Sequence, residues 1–451
     1  GSATHGEKRC GFGRIGHGRL DPKPLTMRTT TALLFNFILA SAFSKTADTT
    51  ALSGDTTAAS SDRATVLDSA ALWALDARLE KLDSEHVFRN SSQIKAIDTL
   101  HPLPLTDSIF EHYMAELDQR TPFEMTYNPI VRKYIERYLK YGTARLSRMM
   151  AHGQYYFPMF EEHLDKYDMP LEIKYLAVVE SALNPKARSY VGATGLWQFM
   201  YSTGKMYDLK VNSYVDDRND PLKSTEAACQ YMLKMYDVFE DWNLVLAAYN
   251  SGPGNVRKAI RRSGGKTSYW EIRPFLPRET SAYVPLFIAA TYAMEYGHMY
   301  GIGPADIPAY YIETDTVRIT NQLHFQQVEQ QLGVEPDLLE FLNPQYRYKI
   351  IPVVDGTNYF ITLPKESAVA FRAQQDSIYT VAASYFESRA STMPEFTQMN
   401  ERTTHRVKSG ETLGHIAGKY GVGVSEIKRW NGLTSDMIRV GQRIVVYPRR
   451  I

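Results

Sequence analysis

Glu180 is the strongest candidate for a catalytic group in this sequence of 451 residues. It lies in LAVVESALNP, and because the positions before it are apolar on nearly every side, the segment predicts a buried helix that ends before Asn184-Pro185. Burial and the partial negative charge of a helix C-terminus both favour a neutral carboxyl group, which is the form that a general acid needs near neutral pH. Spacing alone leaves open a second interpretation, a helix-end glutamate paired with a nearby Arg or Lys.

Three further segments follow Glu180 in the chain and carry side chains suited to binding polar ligands. They read GATGLWQFM at 192–200, AAYNSGPGNV at 247–256 and ETSAYV at 279–284. Each also has an ordinary structural explanation. Tyr249 and Tyr283 fit core aromatic residues whose hydroxyls are hydrogen-bonded, and the glycine after Asn250-Ser251 fits a left-handed helix stop.

All these residues fall in a stretch with helical periodicity, from Asp107 to about Gly301. Breakers divide the stretch at Asn184-Pro185, Asp220-Pro221, Gly252-Pro253-Gly254, Gly264-Gly265 and Arg273-Pro274. We therefore predict one all-α domain over residues 107–303.

Two short units of mixed structure follow the helical stretch. Residues 314–364 predict a strand at Val317–Ile319, helices at Phe325–Leu332 and Pro336–Leu342, and a strand at Tyr359–Leu363. Residues 404–447 repeat this order, so the sequence predicts two β-α-α-β modules in tandem. Residues 365–403, with little periodicity beyond a short helix at their start, are predicted to form a linker.

The N-terminal region is typical of an exported protein. Residues 27–42 combine a basic start, a short apolar run and an A-x-A pattern, which predicts a signal peptide. Residues 1–26 are interpreted as a segment foreign to the fold, and residues 43–106 as a partly disordered leader. Cys10 lies in the first segment, so Cys229 alone remains and no internal disulfide is expected.

Composition narrows the classes of partner. The 44% hydrophobic and 22% charged residues are those of a folded domain, and the net charge of +1 gives no general attraction to nucleic acid or membrane. Residues 401–451 nevertheless hold ten Lys and Arg against four Asp and Glu, which favours an anionic partner such as a bacterial cell wall or a nucleic acid.

Taken in order, ESALNP, GLWQFM, AYNSGPG and ETSAYV resemble the motifs of family 1 lytic transglycosylases with an SLT domain, in particular the group of membrane-bound murein transglycosylase D. The resemblance covers roughly residues 157–301. It implies a mainly α protein with a goose-lysozyme-like catalytic domain, in which Glu180 is the acid and base and Tyr249 lies close enough to orient it. The implied substrate-binding residues are Ser181, Trp197, Gln198, Met200, Tyr249, Asn250 and Tyr283.

Residues 404–447 resemble LysM, a small glycan-binding module, through VKSGETL, WNGL and IRVGQRI. Residues 314–364 resemble it only loosely, and whether they bind glycan stays open. The resemblance implies a shallow groove between two strand–helix junctions. Its residues would be Gly410, Thr412 and Leu413 on one side, facing Asn431, Gly432 and Leu433 on the other.

The resemblance implies cleavage of the β-1,4 bond between N-acetylmuramic acid and N-acetylglucosamine in peptidoglycan, without water and with formation of a 1,6-anhydro ring. A lone carboxylate suits this reaction, because hydrolysis of glycosides usually needs two. Asp216 and Asp217, the nearby alternatives, are expected to act as helix caps and turn formers. Two other functions stay open, a hydrolytic muramidase on the same fold and a binding scaffold without catalysis.

The remaining expectations concern cofactors, partners and location. The sequence holds no H-E-x-x-H, no C-x-x-C pair and no phosphate-binding loop, so we expect neither metal nor cofactor. The expected partner is peptidoglycan, with at most peripheral membrane association, and export disfavours nucleic acid. The expected location is the periplasm or cell envelope, reached by secretion across the inner membrane.

Overall fold

The computed structural model describes residues 77, 80–81, 101–189, 191–306, 313–390, 393 and 403–447. The predicted signal peptide at 27–42, the segment 1–26 and most of the predicted leader at 43–106 lie outside the described residues. Within the described part, a helical domain is followed by two small modules of mixed structure. The prediction of a mainly α protein with two α+β modules is confirmed.

The helical domain contains helices of very different lengths, several of which begin or end at the predicted breakers. In chain order they are α1 (Asp107–Gln119), α2 (Pro129–Glu136), α3 (Thr143–Lys166), α4 (Lys174–Ser181), α5 (Tyr201–Met206), α6 (Pro221–Phe239), α7 (Trp242–Ser251), α8 (Pro253–Arg262), α9 (Tyr269–Ile272) and α10 (Arg278–Tyr296).

Polar side chains cap several of these helices at their first turn. The Asp220 carboxylate accepts a hydrogen bond from the Lys223 amide at the start of α6, and Asp241 accepts one from Leu244 at the start of α7. Such caps satisfy amide groups that have no partner inside the helix. They explain why Asp220-Pro221 predicts a helix start, since proline also fits the first helical position.

Helix α10 lies at the centre of the helical domain. Every residue from Tyr283 to Ala293 is buried, and the helix contacts α2, α4 and α7. Burying a large apolar side chain such as Phe287 contributes about 1.5–3 kcal/mol relative to leaving it exposed. This central position fixes α10 relative to α4, the helix that carries Glu180.

A proline inside α10 connects this helix to its surroundings. Pro285 has no amide hydrogen, so it cannot donate to the carbonyl group of Ser281 four residues earlier. That carbonyl instead accepts hydrogen bonds from the Tyr269 hydroxyl (2.9 Å) and from Arg273 Nε (2.7 Å). The start of α10 is therefore held by α9 and the turn that follows it.

The first module has the predicted β-α-α-β order. Its elements are β1 (Thr314–Ile319), β2 (Leu323–His324), α11 (Phe325–Leu332), α12 (Pro336–Leu342), β3 (Ile350–Ile351) and β4 (Tyr359–Pro364). Strands β1 and β4 pair antiparallel, with Thr314 opposite Pro364 and Ile319 opposite Tyr359, and β2 pairs with β3.

The described part of the segment predicted as a linker is mostly helical. Residues 365–403 begin with α13 (Lys365–Ala373) and α14 (Gln375–Arg389), which pack on α11 and on the strands of the first module. Phe371, Ile378 and Ala382 are buried in this contact. Because the apolar residues of α14 are not confined to one side of the helix, its sequence gives little helical periodicity, and packing stabilises the helix instead.

The second module repeats the first on a smaller scale, with β5 (Thr403–Arg406), α15 (Leu413–Tyr420), α16 (Val424–Asn431) and β6 (Arg443–Val446). Strands β5 and β6 pair antiparallel. One side chain performs the same task in both modules: the Asn343 amide bonds to the backbone N–H and carbonyl of Thr362, and the Asn431 amide bonds to those of Val445. This shared contact supports the predicted internal repeat.

Two features of the described residues concern redox chemistry and membranes. Cys229 on α6 is a free, buried cysteine, and burial raises the pKa of its thiol to about 12. None of the described helices combines the length and the apolar character needed to span a membrane.

Candidate active site

Glu180 lies in the last turn of α4, where the sequence predicted it. Only 7% of the residue is exposed, and the helix around it is buried from Tyr175 to Ser181. The helix stops because Ala182 and Leu183 adopt left-handed backbone angles, with φ of 51° and 60°. Two such residues in succession are uncommon outside glycine, so the surrounding structure must hold this turn in place.

The hydroxyl of Tyr283 donates a short hydrogen bond to Glu180 Oε1. Tyr283 is buried on α10, so the contact joins the central helix directly to the candidate acid. Because this donor holds Oε1, it fixes the plane of the carboxyl group and favours placing the acidic proton on Oε2. Sequence reasoning expected Tyr249 to orient Glu180, but the structure gives the direct hydrogen bond to Tyr283.

Tyr249 lies at the end of α7 and holds the loop that contains Gln198. Its hydroxyl donates to the backbone carbonyl of Trp197 at 2.7 Å. Burial and, secondarily, the nearby charge of Glu180 raise the pKa of Tyr249 well above its ordinary value, so the hydroxyl stays protonated and able to donate. Tyr249 therefore lies near Glu180, but its hydroxyl donates to the Trp197 carbonyl instead.

Gln198 is half-buried and stands on a strained backbone, with φ of 49°. Its side-chain nitrogen donates to the carbonyl groups of Gly195 (2.9 Å) and Ala187 (3.1 Å). No described residue donates to its side-chain oxygen. The amide is thus oriented by the protein at one end and can accept a hydrogen bond from a ligand at the other.

Asn250 shows a similar division between its two amide atoms. Its oxygen accepts a hydrogen bond from the Thr280 hydroxyl at 2.7 Å, which connects α7 to the first turn of α10. No described residue accepts from its nitrogen, so this half-buried amide can donate to a ligand. Met200, the residue just before α5, is also half-buried.

Two residues predicted to bind substrate lie in the core instead. Trp197 is fully buried, donates through Nε1 to Thr225 at 2.9 Å and packs on Phe160, so it offers no stacking surface for a sugar. Ser181 is also fully buried, and its hydroxyl donates to the Ala177 carbonyl within α4. Trp197 and Ser181 are next to Gln198 and Glu180 in the sequence. Adjacency in the sequence does not show whether a side chain faces the core or the surface.

The structure adds a buried ion cluster that sequence reasoning missed. Asp216 and Arg218 are each 97% or more buried and pair through two contacts of 2.9 Å, and Arg347 of the first module lies 2.6 Å from the same carboxylate. Burial alone would raise the pKa of Asp216, but the two guanidinium groups hold it well below its usual range. The sequence feature that could have indicated this cluster is the arginine between acidic residues in VDDRNDP.

The two acids once expected to be caps and turn formers are both engaged in ion pairs. Asp216 faces Arg218, and Asp217 pairs with Lys223 at 2.7 Å while accepting a hydrogen bond from the Lys210 amide. Neither is available as a second catalytic carboxylate. Among the described residues, no group of three or more His, Cys, Asp or Glu side chains is arranged to hold a metal ion.

Most residues of the predicted LysM groove have clear structural roles. Thr412 caps α15, Leu413 is buried in the module core, and the Asn431 amide is committed to the backbone of β6 and α16. Gly410 and Gly432 have φ of 82° and 64°, which favours glycine at both positions. Leu433 packs against the same core, with part of its side chain still exposed.

Three protein families match separate parts of the chain. Residues 158–271 match the transglycosylase SLT domain, residues 313–380 match the LysM-like domain of lytic transglycosylase MltD, and residues 405–446 match the LysM domain.

Individual relatives agree with these matches. The membrane-bound lytic murein transglycosylase D of Escherichia coli K12 is 30% identical over 329 residues, which are 71% of this chain and 69% of that protein. The soluble lytic murein transglycosylase of the same strain is 35% identical over 122 residues, 25% of this chain and 19% of its own. An autolysin of Enterococcus faecalis is 47% identical over 49 residues, 11% of this chain and 7% of its own.

Proposed function

Since this chain belongs to the lytic murein transglycosylase D family, we propose that Glu180 is the single group that first donates and then removes a proton in its reaction. The chain is a peptidoglycan lytic transglycosylase, and its LysM module at residues 405–446 provides binding to the wall. The observation that carries the assignment is the short hydrogen bond from Tyr283 to the buried Glu180.

The first step is protonation of the leaving group. Glu180 donates its proton to the oxygen that joins N-acetylmuramic acid to N-acetylglucosamine, and the bond from that oxygen to the muramyl C1 breaks. The 2-acetamido group stabilises the positive charge that develops at C1. Tyr283 supports the same step, because its hydrogen bond stabilises the carboxylate that remains.

The second step closes the ring. The Glu180 carboxylate removes the proton from the muramyl C6 hydroxyl, and the C6 oxygen forms a bond to C1. This step regenerates the acid and releases a 1,6-anhydro end. No water is consumed, so a second carboxylate to activate water is not needed. This agrees with Asp216 and Asp217 being paired with cations.

Gln198, Tyr249 and Asn250 hold the sugar and the loop around it. The Gln198 oxygen and the Asn250 nitrogen have no hydrogen-bond partner among the described residues, so they can serve as an acceptor and a donor for sugar hydroxyl and acetamido groups. Tyr249 supports this arrangement through the Trp197 carbonyl, one residue before Gln198. Fixing reacting groups in this way is worth a large part of an enzyme's rate enhancement.

Analysis of the products tests this function. We expect purified peptidoglycan sacculi digested with the protein to release muropeptides that end in anhydro-muramic acid, each lighter by one water than the hydrolysis product in mass spectrometry. Reducing ends instead would identify a hydrolytic muramidase. Binding to sacculi without any release would identify a scaffold that has lost catalysis.

The second module is proposed to retain the enzyme on the wall. Its predicted groove residues Gly410 and Thr412 are exposed, and the tail from residue 401 carries an excess of positive charge. Tethering raises the effective substrate concentration near Glu180 without new contacts at the active site.

Deleting residues 400–451 is expected to weaken sacculus binding about tenfold or more, while cleavage of short soluble glycans keeps its rate. A pull-down assay measures binding in the Glu180→Gln background, so that cleavage does not remove the wall during the assay. The full-length Glu180→Gln protein is the control. Equal binding by the two proteins would show that the tail has no role in retention.

The proposed location is the periplasmic side of the cell envelope. The predicted signal peptide at 27–42 supports export, and peptidoglycan, the substrate, lies outside the inner membrane. We propose that any membrane association is peripheral and that nucleic acid is not a partner.

A further inference from the structure

The first module is attached to the helical domain through its backbone. Val215 and Tyr346 form an antiparallel bridge, the Asp216 amide donates to the Gln345 carbonyl, and the Arg347 amide donates to the Tyr214 carbonyl at 2.7 Å. A strand-like contact of this kind fixes the relative register of the two segments, because each hydrogen bond is specific to one pair of residues.

Side chains extend this contact to α3 and to the loop that follows Glu180. Phe341 of α12 packs on Tyr155 and Tyr156 of α3, with ring centres 4.8 and 5.7 Å apart. Glu340 of α12 pairs at 2.7 Å with Lys186, which lies six residues after Glu180. The first module therefore contacts the helical domain through apolar and charged groups together.

A continuous line of polar contacts leads from the module to Gln198. Arg347 holds the Asp216 carboxylate, which in turn holds Arg218. Arg218 Nη1 donates to the backbone carbonyls of Gly192 (3.0 Å) and Phe199 (3.2 Å). These two carbonyls lie on either side of Gln198 in the loop, so the guanidinium group of Arg218 clamps the loop that carries it.

Both strand–helix junctions of the first module contact other elements of the protein. After α12, the junction is engaged by the contacts to residues 214–216. After β1, the Thr320 amide donates to the Tyr379 hydroxyl of α14, and the His324 ring lies 5.0 Å from that of Tyr385. The half of the groove that follows α12 is therefore buried in the first module, whereas Thr320 and Asn321 after β1 are exposed.

We propose that the first module, with α13 and α14, acts as a brace for the catalytic loop rather than as a glycan-binding unit, and that Arg347 is a positioning residue acting on Gln198 through Asp216 and Arg218. The inference rests on the proposed function, because it assumes that Gln198 contacts the sugar. Removing the Arg347 guanidinium leaves Asp216 with one cation, Arg218, which then reorients toward the carboxylate and loosens its hold on Gly192 and Phe199.

The test compares Arg347→Ala, Arg347→Lys and Arg372→Ala, using a soluble, uncrosslinked glycan strand of fixed length. Arg372 is the matched control, because it lies on α13, which packs on the first module, and pairs with the partly exposed Asp315 of that module at 2.7 Å. We expect Arg347→Ala to lower kcat about tenfold and to change KM by less than about twofold. Arg347→Lys should recover part of kcat, and Arg372→Ala should match the unchanged chain.

Rates are measured at a temperature where circular dichroism shows all variants folded, so that loss of folded protein does not imitate loss of kcat. Unchanged kcat in Arg347→Ala would overturn the proposal that the first module braces the catalytic loop through Arg347. A raised KM for this glycan with unchanged kcat would contradict the brace and would favour glycan binding by the module. Turnover by the unchanged chain and its absence in Glu180→Gln establish the proposed function separately; an inactive unchanged chain would refute that function instead.

Discussion

Replacing Glu180 by glutamine is expected to lower the rate of glycan cleavage by a factor of about 10²–10⁴. The amide has nearly the shape of the carboxyl group and keeps an oxygen that can accept from Tyr283, so the fold around the buried residue should survive. It cannot donate an acidic proton and cannot remove one afterwards. Release of anhydro-muropeptides from sacculi, followed by mass spectrometry over time, measures the loss.

Glu162→Gln is the matched control for this substitution. Glu162 is an exposed carboxylate on α3, in the same helical domain, and the same chemical change there should leave the rate and the product unchanged. Sacculus binding and the thermal unfolding midpoint should be the same in the unchanged chain, in Glu180→Gln and in Glu162→Gln. Cleavage at the original rate by Glu180→Gln would refute the assignment of Glu180.

Replacing Gly195 by alanine is expected to lower the free energy of unfolding by about 4 kcal/mol. Gly195 has φ of 89°, and a Cβ atom added there would lie 1.9 Å from the backbone carbonyl oxygen of Arg218. Gly195 lies in the loop that contains Gln198, and Arg218 belongs to the buried ion cluster that holds this loop. Relief of the clash must therefore displace the catalytic loop, so activity should fall as well.

Gly192→Ala separates the steric clash of the added Cβ from the backbone strain of a positive φ, which together lower the free energy of unfolding of Gly195→Ala. Gly192 belongs to the same loop and has nearly the same φ, 91°, but an added Cβ would meet no atom within 4 Å. Backbone strain alone is expected to cost about 1–2 kcal/mol there. Urea unfolding followed by tryptophan fluorescence gives both values. Equal unfolding midpoints for the two variants would mean that contact with Arg218 contributes nothing.

Local chemistry explains what could be predicted from the sequence. The helix breaks at Asn184-Pro185 and Asp220-Pro221 follow from the geometry of proline and from side-chain caps, both of which act within a few residues. Glu180 could likewise be placed near a buried helix end, because the apolar residues before it are consecutive in the chain.

Contacts between distant segments could not be predicted in the same way. The pairing of Glu180 with Tyr283 rather than Tyr249 depends on how α10 is placed against α4, and the burial of Trp197 depends on which side of a loop faces α6. The Arg347–Asp216 contact joins residues 131 positions apart. Sequence periodicity describes one element at a time and contains no information on such pairs.

The burial of the Cys229 thiol determines how the protein would respond to thiol oxidants. Disulfide exchange requires a thiolate that a partner can reach, and burial keeps this thiol both protonated and enclosed beneath the surface of α6. Cys229 of the folded domain is therefore inert toward thiol oxidants and toward mixed disulfides with neighbouring proteins. Its reactivity would return on unfolding, so labelling of Cys229 with a thiol reagent would report loss of the folded domain.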